Sequence, residues 1–399
     1  MLIFTNNLEK NRNLIFGPTY QSLRFWVLMK ETFRPVYLVI HICALVFVIT
    51  QYVELWFIRK DLESAMRNLS VTMLSTICVC KTGTFIYWQQ SWSELFKYSS
   101  DLEKIQLSKN DSLTELIICR YVRYSRRVTY FYRVLIAATV LLVILSPVFS
   151  FLSSSSDCKF MIKNGSFPYP EILSSWVPFD KTQGLGYWVT ILEHSVICFY
   201  GGGVIANFDC NAVIIMSFFA GQLNLLRVNC DRLFNTTDTA MSCEEAIQKI
   251  QDCHYHHLYL VKYSSVLNSL LSPVMFIYVI ICSLMLCASA IQLTMGDIGN
   301  MQRIWIAEYL MALIAQLFLY CWHSNEVLYM SDKADRGIYT SKWYTRNTRV
   351  RRSLILLGGQ LRKTIEFTAG PFTKLNIATF VAILKGSYSY YTLLDKQED

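Results

Sequence analysis

Hydrophobic residues in this chain are grouped into long runs that alternate with polar and often basic segments. A helix that crosses the hydrocarbon core of a bilayer needs about 20 mostly apolar residues. Seven runs come close to or exceed this length, at 35–57, 69–88, 128–152, 186–208, 266–291, 304–322 and 372–394. We therefore predict an all-α membrane protein with seven transmembrane helices, called spans one to seven. Lys81 interrupts the second run, and Glu193, His194 and three glycines at 201–203 interrupt the fourth.

The distribution of basic residues predicts the orientation of these spans. The segment before span one and those after spans two, four and six hold 25 of the 37 Lys and Arg residues, and the complementary segments hold eight. Cytoplasmic loops retain Lys and Arg. The N-terminus is therefore predicted to be cytoplasmic and, after seven crossings, the C-terminus extracellular, which is the opposite of a G-protein-coupled receptor.

Apolar character continues beyond the fourth run, and 212–226 could form an eighth span. This stretch is short, and an additional crossing would place the nine basic residues of 329–371 outside the cell. We predict instead that the fourth helix continues into the cytoplasm. Helical patterns at 244–262 and 353–367 predict similar extensions, so that a helical anchor domain forms below the membrane.

Composition agrees with a membrane protein, because 53% of the residues are hydrophobic and only 17% are charged. Soluble domains have about 25% charged residues, so a soluble globule is excluded, as is a disordered chain. The 13 cysteines are too sparse for a disulfide scaffold. The predicted topology already accounts for the net charge of +8, so membrane lipid is an expected partner and nucleic acid is not.

No motif in the sequence indicates an enzyme, a cofactor or a metal. Hydrolase, metalloprotease, phosphate-loop and dinucleotide-binding patterns are all missing from the sequence. Cys253, His254, His256 and His257 resemble metal ligands, but this spacing spreads the imidazoles over different faces of a helix. We expect a structural role for them and predict no bound metal.

One of four N-glycosylation sequons fits the predicted topology. Asn110 and Asn235 fall in cytoplasmic segments, and Asn68 lies at the edge of a span. Asn164 lies in the long outer loop 153–183, which could also cover an outward cavity. Asn164 is therefore the candidate glycosylation site, with an unused sequon as the alternative.

The last quarter of the chain carries a specific pattern. Its members are Ala334, Tyr339, Trp343, Ala369, Gly370, Phe372, Thr379, Phe380 and the ending ILKGSYSYYTLL at 383–394. This pattern closely resembles the C-terminal signature of insect odorant receptors, and the chain length, seven spans and inverted orientation agree with it. The related gustatory receptors end in a different motif. The shared co-receptor of the family is a poor match, because it lacks the SYSY element, so the resemblance is to a tuning receptor.

This resemblance implies an odorant-gated, non-selective cation channel without cofactors. Four subunits surround one pore, usually as a heterotetramer of tuning receptor and co-receptor in the plasma membrane of olfactory neuron dendrites, and the last helix lines the pore. By position in the motif, the hydrophobic gate corresponds to Leu393, with Leu394 and Thr392 beside it. Gly386, Tyr390 and Leu393 recur at i, i+4 and i+7, and this stripe is the candidate lumen.

The resemblance also implies a pocket for a small volatile odorant in the outer half of the bundle, between spans two, three, four and six. The candidate ligand-binding residues there are Thr72, Met73, Val143, Ser146, Phe149, Tyr187, Thr190, His194, Trp305 and Tyr309. A mostly apolar pocket suits such a ligand, and hydroxyls of Tyr187, Thr190 or Tyr309 could bind a carbonyl or an alcohol. Ordinary helix packing is the alternative for each residue taken singly.

Charged residues within spans are costly and indicate functional sites. Glu193, His194 and Glu308 either form an internal hydrogen-bonded network or border the ligand cavity.

The predicted organisation has four parts. They are a cytoplasmic N-terminal segment (1–34), spans one to six with the outer pocket (35–328), the cytoplasmic anchor loop and helix (329–371), and the pore-lining seventh helix with the extracellular C-terminus (372–399). A metabotropic chemoreceptor, a gustatory-type channel and a transporter are the alternatives. A metabotropic receptor would show a D-R-Y-like element and N-P-x-x-Y, and a transporter would show repeated halves; the sequence has none of these.

Overall fold

Long helices form most of the described chain. The computed structural model describes residues 15–16, 22–23, 26, 35–153, 156–163, 168–182, 184–234, 241–294 and 300–398, and some helical residues beside the gaps are described by their backbone alone. The helices are α1 (Pro35–Ile58), α2 (Leu62–Tyr87), α3 (Gln89–Ser108), α4 (Ser112–Ser153), α5 (Ser156–Lys163), α6 (Gly184–Asp231), α7 (Cys243–Thr294), α8 (Asn300–Asp332), α9 (Arg336–Thr340), α10 (Thr348–Leu361) and α11 (Ile377–Glu398). Two 3₁₀ turns follow α6 and α9, at Arg232–Phe234 and Trp343–Thr345.

Six of these helices, α1, α2, α4, α6, α7 and α8, are long and apolar enough to cross a membrane. They coincide with predicted spans one to six, and the prediction of an all-α, multi-pass membrane protein is confirmed. The most apolar stretch of α4 has only 6% of its residues buried within the chain, whereas that of α6 has 89%. The helix α6 is therefore the central helix of the bundle, and α4 presents a lipid-compatible face.

The long helices extend well beyond a bilayer, as predicted for the fourth span. Helix α6 has 48 residues and α7 has 52, which at 1.5 Å per residue gives lengths of about 70–80 Å. Residues 212–226 continue α6 without a break, and 244–262 belong to α7. Together with α3, α9 and α10, these extensions form the anchor end of the molecule.

Two elements at the anchor end differ from the sequence prediction. Helix α3 is not among the elements that the sequence predicts, because its apolar residues are few. Trp92, Leu95, Phe96 and Ser99 nevertheless form one buried stripe. Helix α10 spans 348–361, not 353–367.

The helix α11 begins five residues later than the predicted seventh span, because a short hairpin precedes it. Strand β1 (Thr368–Ala369) pairs antiparallel with β2 (Thr373–Lys374). Gly370 turns the chain between them with φ +66°, where a Cβ atom would lie 2.6 Å from the Phe276 ring. A side chain at this position is therefore excluded by both backbone conformation and space. A seventh membrane crossing by α11 remains a prediction.

The glycine triplet that appeared to interrupt the fourth span lies in the middle of continuous helix α6. A Cβ atom on Gly202 would lie 2.3 Å from Cγ2 of Val140 in α4. Gly202 therefore allows α6 and α4 to approach closely, and this approach sets the width of the space between the helices beside it.

Candidate functional site

A cavity of about 180 Å³ lies between the spans, at the level of the glycine triplet. Helices α1, α2, α4, α6 and α8 form its walls, and Leu173 from the loop between α5 and α6 covers one end. The wall is largely aliphatic, with residues such as Ala44, Val71, Val140 and Ile197. An apolar cavity of this kind suits a small apolar molecule.

The helices that line this cavity include all four spans named for the predicted ligand pocket, whereas most of the residues named for that pocket are not among those that line it. Predicted spans two, three, four and six all contribute, and α1 contributes as well through Ala44, Phe47 and Val48. Of the ten predicted ligand-binding residues, Val143 and Tyr309 line this cavity.

Three of the other predicted residues lie on α6, closer to its first residue than the cavity. The Tyr187 hydroxyl donates to the carbonyl oxygen of Pro170 at 3.2 Å. The Thr190 hydroxyl donates to the carbonyl oxygen of Gly186 at 3.0 Å, and His194 is fully buried beneath the loop. Tyr187 and His194 therefore support the cover of the cavity, whereas the Thr190 hydrogen bond stays within α6.

The remaining five predicted residues are not among those found to line the cavity. Phe149 and Trp305 pack with their ring centroids 6.0 Å apart, one on α4 and the other on α8. Thr72 donates to Asn68 Oδ1 at 2.9 Å within α2. Met73 packs against the main core, and Ser146 is half-buried on α4.

The loop 168–182 is fastened over the cavity by a buried imidazole. The Leu173 N–H donates to His194 Nδ1 at 3.4 Å, and His194 Nε2 lies 2.8 Å from the Ser175 hydroxyl. Since Nδ1 accepts a hydrogen bond, the proton of the neutral ring is on Nε2. Asn68 adds a third attachment, because its side-chain amide donates to the Ser174 carbonyl oxygen at 3.0 Å.

A charged cluster holds the end of the same loop. Lys181 Nζ lies 3.0 Å from a carboxylate oxygen of Glu54 in α1 and 3.3 Å from one of Glu171 in the loop. Burial raises the pKa of Glu171 above its ordinary value, although Lys181 opposes this effect. The cover of the cavity is therefore connected to α1, α2 and α6.

A buried ion pair lies behind Gln316, which lines the cavity. Lys81 of α2 pairs with Asp209 of α6, and both side chains are almost completely buried. Tyr132 of α4 donates to Asp209 Oδ2 at 2.5 Å, Gln316 of α8 donates to the same oxygen at 2.6 Å, and the Tyr320 hydroxyl donates to Oδ1. We call these five residues the Asp209 cluster; it joins four helices around one carboxylate.

Sequence reasoning identified Lys81 as an interruption but did not identify its partner. The signal was a second charged residue, Asp209, at the boundary between the fourth apolar run and its extension. Three aromatic rings complete the surroundings of the ammonium group, with centroids 5.3 Å away for Phe208, 5.4 Å for Tyr278 and 5.7 Å for Tyr320. Favourable cation–π contacts of this kind stabilise a desolvated cation.

Glu308, the other acid that was noted within a span, accepts a hydrogen bond from Thr139 at 2.6 Å. Thr139 lines the cavity, so Glu308 belongs to a hydrogen-bonded pair directly behind the wall. Glu193 is exposed on α6.

The predicted gate lies near the end of α11. Gly386 meets open space, since a Cβ atom built on it has no neighbour within 4 Å, and Thr392 donates to the Ser389 carbonyl oxygen at 2.9 Å. The side chains of Tyr390, Leu393 and Leu394 lie outside the described part of the structure, as does Asn164.

The histidines in α7 have separate surroundings. His256 Nε2 lies 3.1 Å from Gln222 Oε1, whereas His257 is fully buried and neither ring nitrogen has a hydrogen-bond partner. Within the described ranges, no group of three or more His, Cys, Asp or Glu residues could hold a metal ion.

Comparisons with known proteins connect this fold to one family. The family model for the 7tm odorant receptor matches residues 61–388. Odorant receptor Or2 of Anopheles gambiae is 22% identical over 95% of this chain and 97% of its own length. Odorant receptor 82a of Drosophila melanogaster is 24% identical over 90% and 92%. Odorant receptor 10 of Aedes albopictus is 31% identical, over 38% of this chain and 39% of its own length.

A solved structure shares the fold. The insect olfactory receptor OR5 from Machilis hrabei, in complex with eugenol, superposes with a TM-score of 0.77 at 16% identity. The match covers 94% of this chain and 98% of that chain. A second structure of the same receptor gives a TM-score of 0.76. Members of this family are receptors and not enzymes. Since the family model extends over most of the sequence, the chain belongs to the 7tm odorant receptor family of insects.

Proposed function

We propose that this chain is a tuning odorant receptor, which forms a tetrameric, ligand-gated, non-selective cation channel with the shared co-receptor. A small volatile ligand binds in the cavity between α1, α2, α4, α6 and α8 and opens the channel. The observation that carries this proposal is the cavity itself, which is apolar, is covered at one end by Leu173 of the loop 168–182, and borders the Asp209 cluster through Gln316.

The size of the cavity supports a small ligand. A dry cavity of about 150 Å³ engineered into another protein is large enough to bind benzene. A cavity of about 180 Å³ therefore accommodates a compact molecule of roughly 7–10 non-hydrogen atoms. In the related receptor of Machilis hrabei, the ligand in the structure is eugenol.

The position of α8 supports coupling of the cavity to the predicted pore helix. Tyr309 and Gln316 of α8 line the cavity. On the same helix, Phe318 packs against Phe380 of α11 with ring centroids 5.5 Å apart. A ligand opens a channel only by binding the open state more tightly than the closed one. In our proposal, the ligand shifts α8, and α11 then withdraws Leu393 from the pore axis.

The proposed topology has seven spans, a cytoplasmic N-terminus and an extracellular C-terminus, in the plasma membrane of olfactory sensory neurons. The anchor end then lies in the cytoplasm, where it provides contacts between subunits. Leu393, with Leu394 and Thr392 beside it, forms the hydrophobic gate, and Gly386 and Tyr390 continue the pore surface. A hydrophobic constriction of this kind blocks conduction by excluding water and ions.

Current recordings test this function. Cells that express the chain with the co-receptor are exposed to a panel of volatiles of roughly 7–10 non-hydrogen atoms, and cells that express either protein alone are the controls. We expect inward cation current on ligand addition that does not depend on GTP. Leu393→Ala is expected to increase basal current, because a smaller side chain leaves the constriction wetted.

Two results would contradict the proposal. A response that requires GTP would indicate a metabotropic receptor. Unchanged basal current and unchanged ligand response in Leu393→Ala would show that this residue is not the gate. Phe372→Ala is a matched control, because this exposed residue lies in the hairpin before α11 and its replacement is expected to leave the pore unchanged.

A further inference from the structure

The polar groups that line the cavity donate their protons within the protein. Four side chains with hydroxyl groups line it, namely Ser75, Thr139, Tyr200 and Tyr309. The Ser75 hydroxyl donates to the Val71 carbonyl oxygen at 3.1 Å, and the Thr139 hydroxyl donates to Glu308 Oε1 at 2.6 Å. Both protons are therefore used within the protein.

The two tyrosines are committed in the same way. The Tyr309 hydroxyl donates to the Ser70 carbonyl oxygen at 3.3 Å. The Tyr200 oxygen lies 2.5 Å from His41 Nδ1 and is also hydrogen-bonded to the Thr82 hydroxyl, whose own proton goes to the Cys78 carbonyl oxygen. The Tyr200 proton therefore has an acceptor in either tautomer of His41. The backbone N–H groups of the helical walls bond within their own helices, and that of Leu173 donates to His194.

Among the described residues that line the cavity, Gln316 is the one carboxamide, and its orientation is determined by Asp209. A carboxylate that pairs with Lys81 accepts hydrogen bonds only, so the atom of Gln316 that faces it at 2.6 Å is the amide nitrogen. The other polar atom, Oε1, receives no hydrogen bond from any residue in the described part of the chain. The carboxamide nitrogen carries two protons, of which one goes to Asp209 and the other is directed at the Tyr132 hydroxyl. Among the described residues, the cavity wall thus has an available acceptor at Gln316 Oε1, while its hydroxyl and amide protons are occupied.

This arrangement leads to a rule for the ligand. Resting on the proposed function, we propose that the cavity selects a small apolar molecule with one hydrogen-bond donor, a hydroxyl or an N–H group, and that Gln316 Oε1 accepts that bond. A ketone, aldehyde or ether of the same shape brings only acceptors, which lose their hydrogen bonds to water and find no free hydroxyl or amide proton in the wall. Asp209 acts as the positioning residue, because it keeps the amide nitrogen of Gln316 turned away from the ligand.

Matched pairs of volatiles test this rule on cells that express the chain with the co-receptor. Benzyl alcohol is compared with benzaldehyde, and cyclohexanol with cyclohexanone, by the half-maximal concentration for current. We expect the alcohol of each pair to act at a concentration at least about fivefold lower, as one lost hydrogen bond predicts. The Gln316→Leu variant is expected to reduce this ratio to near one, and Gln316→Met, which is unbranched like glutamine, is a second variant should leucine impair folding.

Val143→Ala is the matched control, because Val143 lines the same cavity without a polar group. It is expected to raise the half-maximal concentrations of both members of a pair and to keep their ratio. The rule is overturned if the carbonyl compounds are as potent as the alcohols, or if Gln316→Leu keeps the ratio. It is also overturned if other volatiles open the channel and none of these four does. If no volatile of any kind evokes current, the proposed function itself fails.

Discussion

The buried ion pair of the Asp209 cluster makes a strong prediction about stability. Lys81 and Asp209 have side-chain exposures of 0% and 2%, so neither charge is compensated by solvent. Asp209→Asn retains the shape and a carbonyl oxygen, but it leaves the ammonium group of Lys81 without an anionic partner. Removal of one partner from a buried pair costs about 3–5 kcal/mol, because the other charge remains desolvated.

The double variant Lys81→Met/Asp209→Asn separates this charge effect from a loss of packing. It removes both charges, and the introduced carboxamide still offers one acceptor to Tyr132, Gln316 or Tyr320. Replacement of a whole buried pair by neutral groups is often close to neutral. We therefore expect the double variant to be more stable than Asp209→Asn alone, although it carries one more substitution.

Thermal unfolding of the purified protein in detergent measures these differences. We expect wild type to have the highest midpoint temperature, the double variant an intermediate one, and Asp209→Asn the lowest. Lys104→Ala is the control, because its pair with Asp101 is half-exposed and such pairs contribute less than about 1 kcal/mol. A double variant that unfolds at or below the midpoint of Asp209→Asn would refute the view that an uncompensated charge dominates this site.

Three further predictions concern other parts of the molecule. Gly202→Ala is expected to lower the unfolding midpoint and weaken ligand responses, since its Cβ atom would lie 2.3 Å from Val140. Gly83→Ala is its control and should be neutral or stabilising, because a Cβ atom at this position meets nothing within 4 Å. Burial raises the pKa of Glu103 from 4.5 to about 7. The protonated carboxyl therefore favours the folded state below pH 4.5, and this contribution is lost as the pH rises to about 7, so wild type should lose stability over that range relative to Glu103→Gln. Asn164→Gln should increase electrophoretic mobility as much as glycosidase treatment of wild type; a glycosidase-insensitive wild type would contradict glycosylation at Asn164.

Hydropathy predicted the spans well because each depends on a local property, about 20 apolar residues in succession. The continuation of α6 through 212–226 was predictable for the same reason, with the basic loop 329–371 as an additional constraint. Helix α3 was not predicted, because it is polar on average and only its stripe around Trp92 is buried. Amphipathic helices at a surface give a weaker signal than spans.

The individual residues that line the cavity were harder to predict from the sequence than the helices that carry them. The resemblance named helices that line the cavity. Which face a helix turns toward the cavity depends on the rotation of that helix about its axis and on its position along the membrane normal, and both are determined by the neighbouring helices. Val143 and Tyr309 line the cavity, whereas Phe149 and Trp305 pack against each other beside it. The partnership of Lys81 and Asp209 joins residues 128 positions apart, so no local pattern could have revealed it.

The Asp209 cluster and the cavity together explain how α8 can face the cavity and also contact α11. Gln316 and Tyr320 are four residues apart and lie on one face of α8, toward Asp209. Phe318 lies between them in sequence, about 200° around the helix from Gln316, and contacts Phe380 of α11. The Asp209 cluster holds α8 at this level by two hydrogen bonds, whereas the stretch from Tyr309 to Gln316 borders empty volume. In the proposed mechanism, a ligand that fills this volume pushes on α8 beside the residues that Asp209 holds, and the rigid helix transmits its tilt to Phe380. If α11 lines the pore as proposed, the gate responds to the ligand through a single layer of side chains.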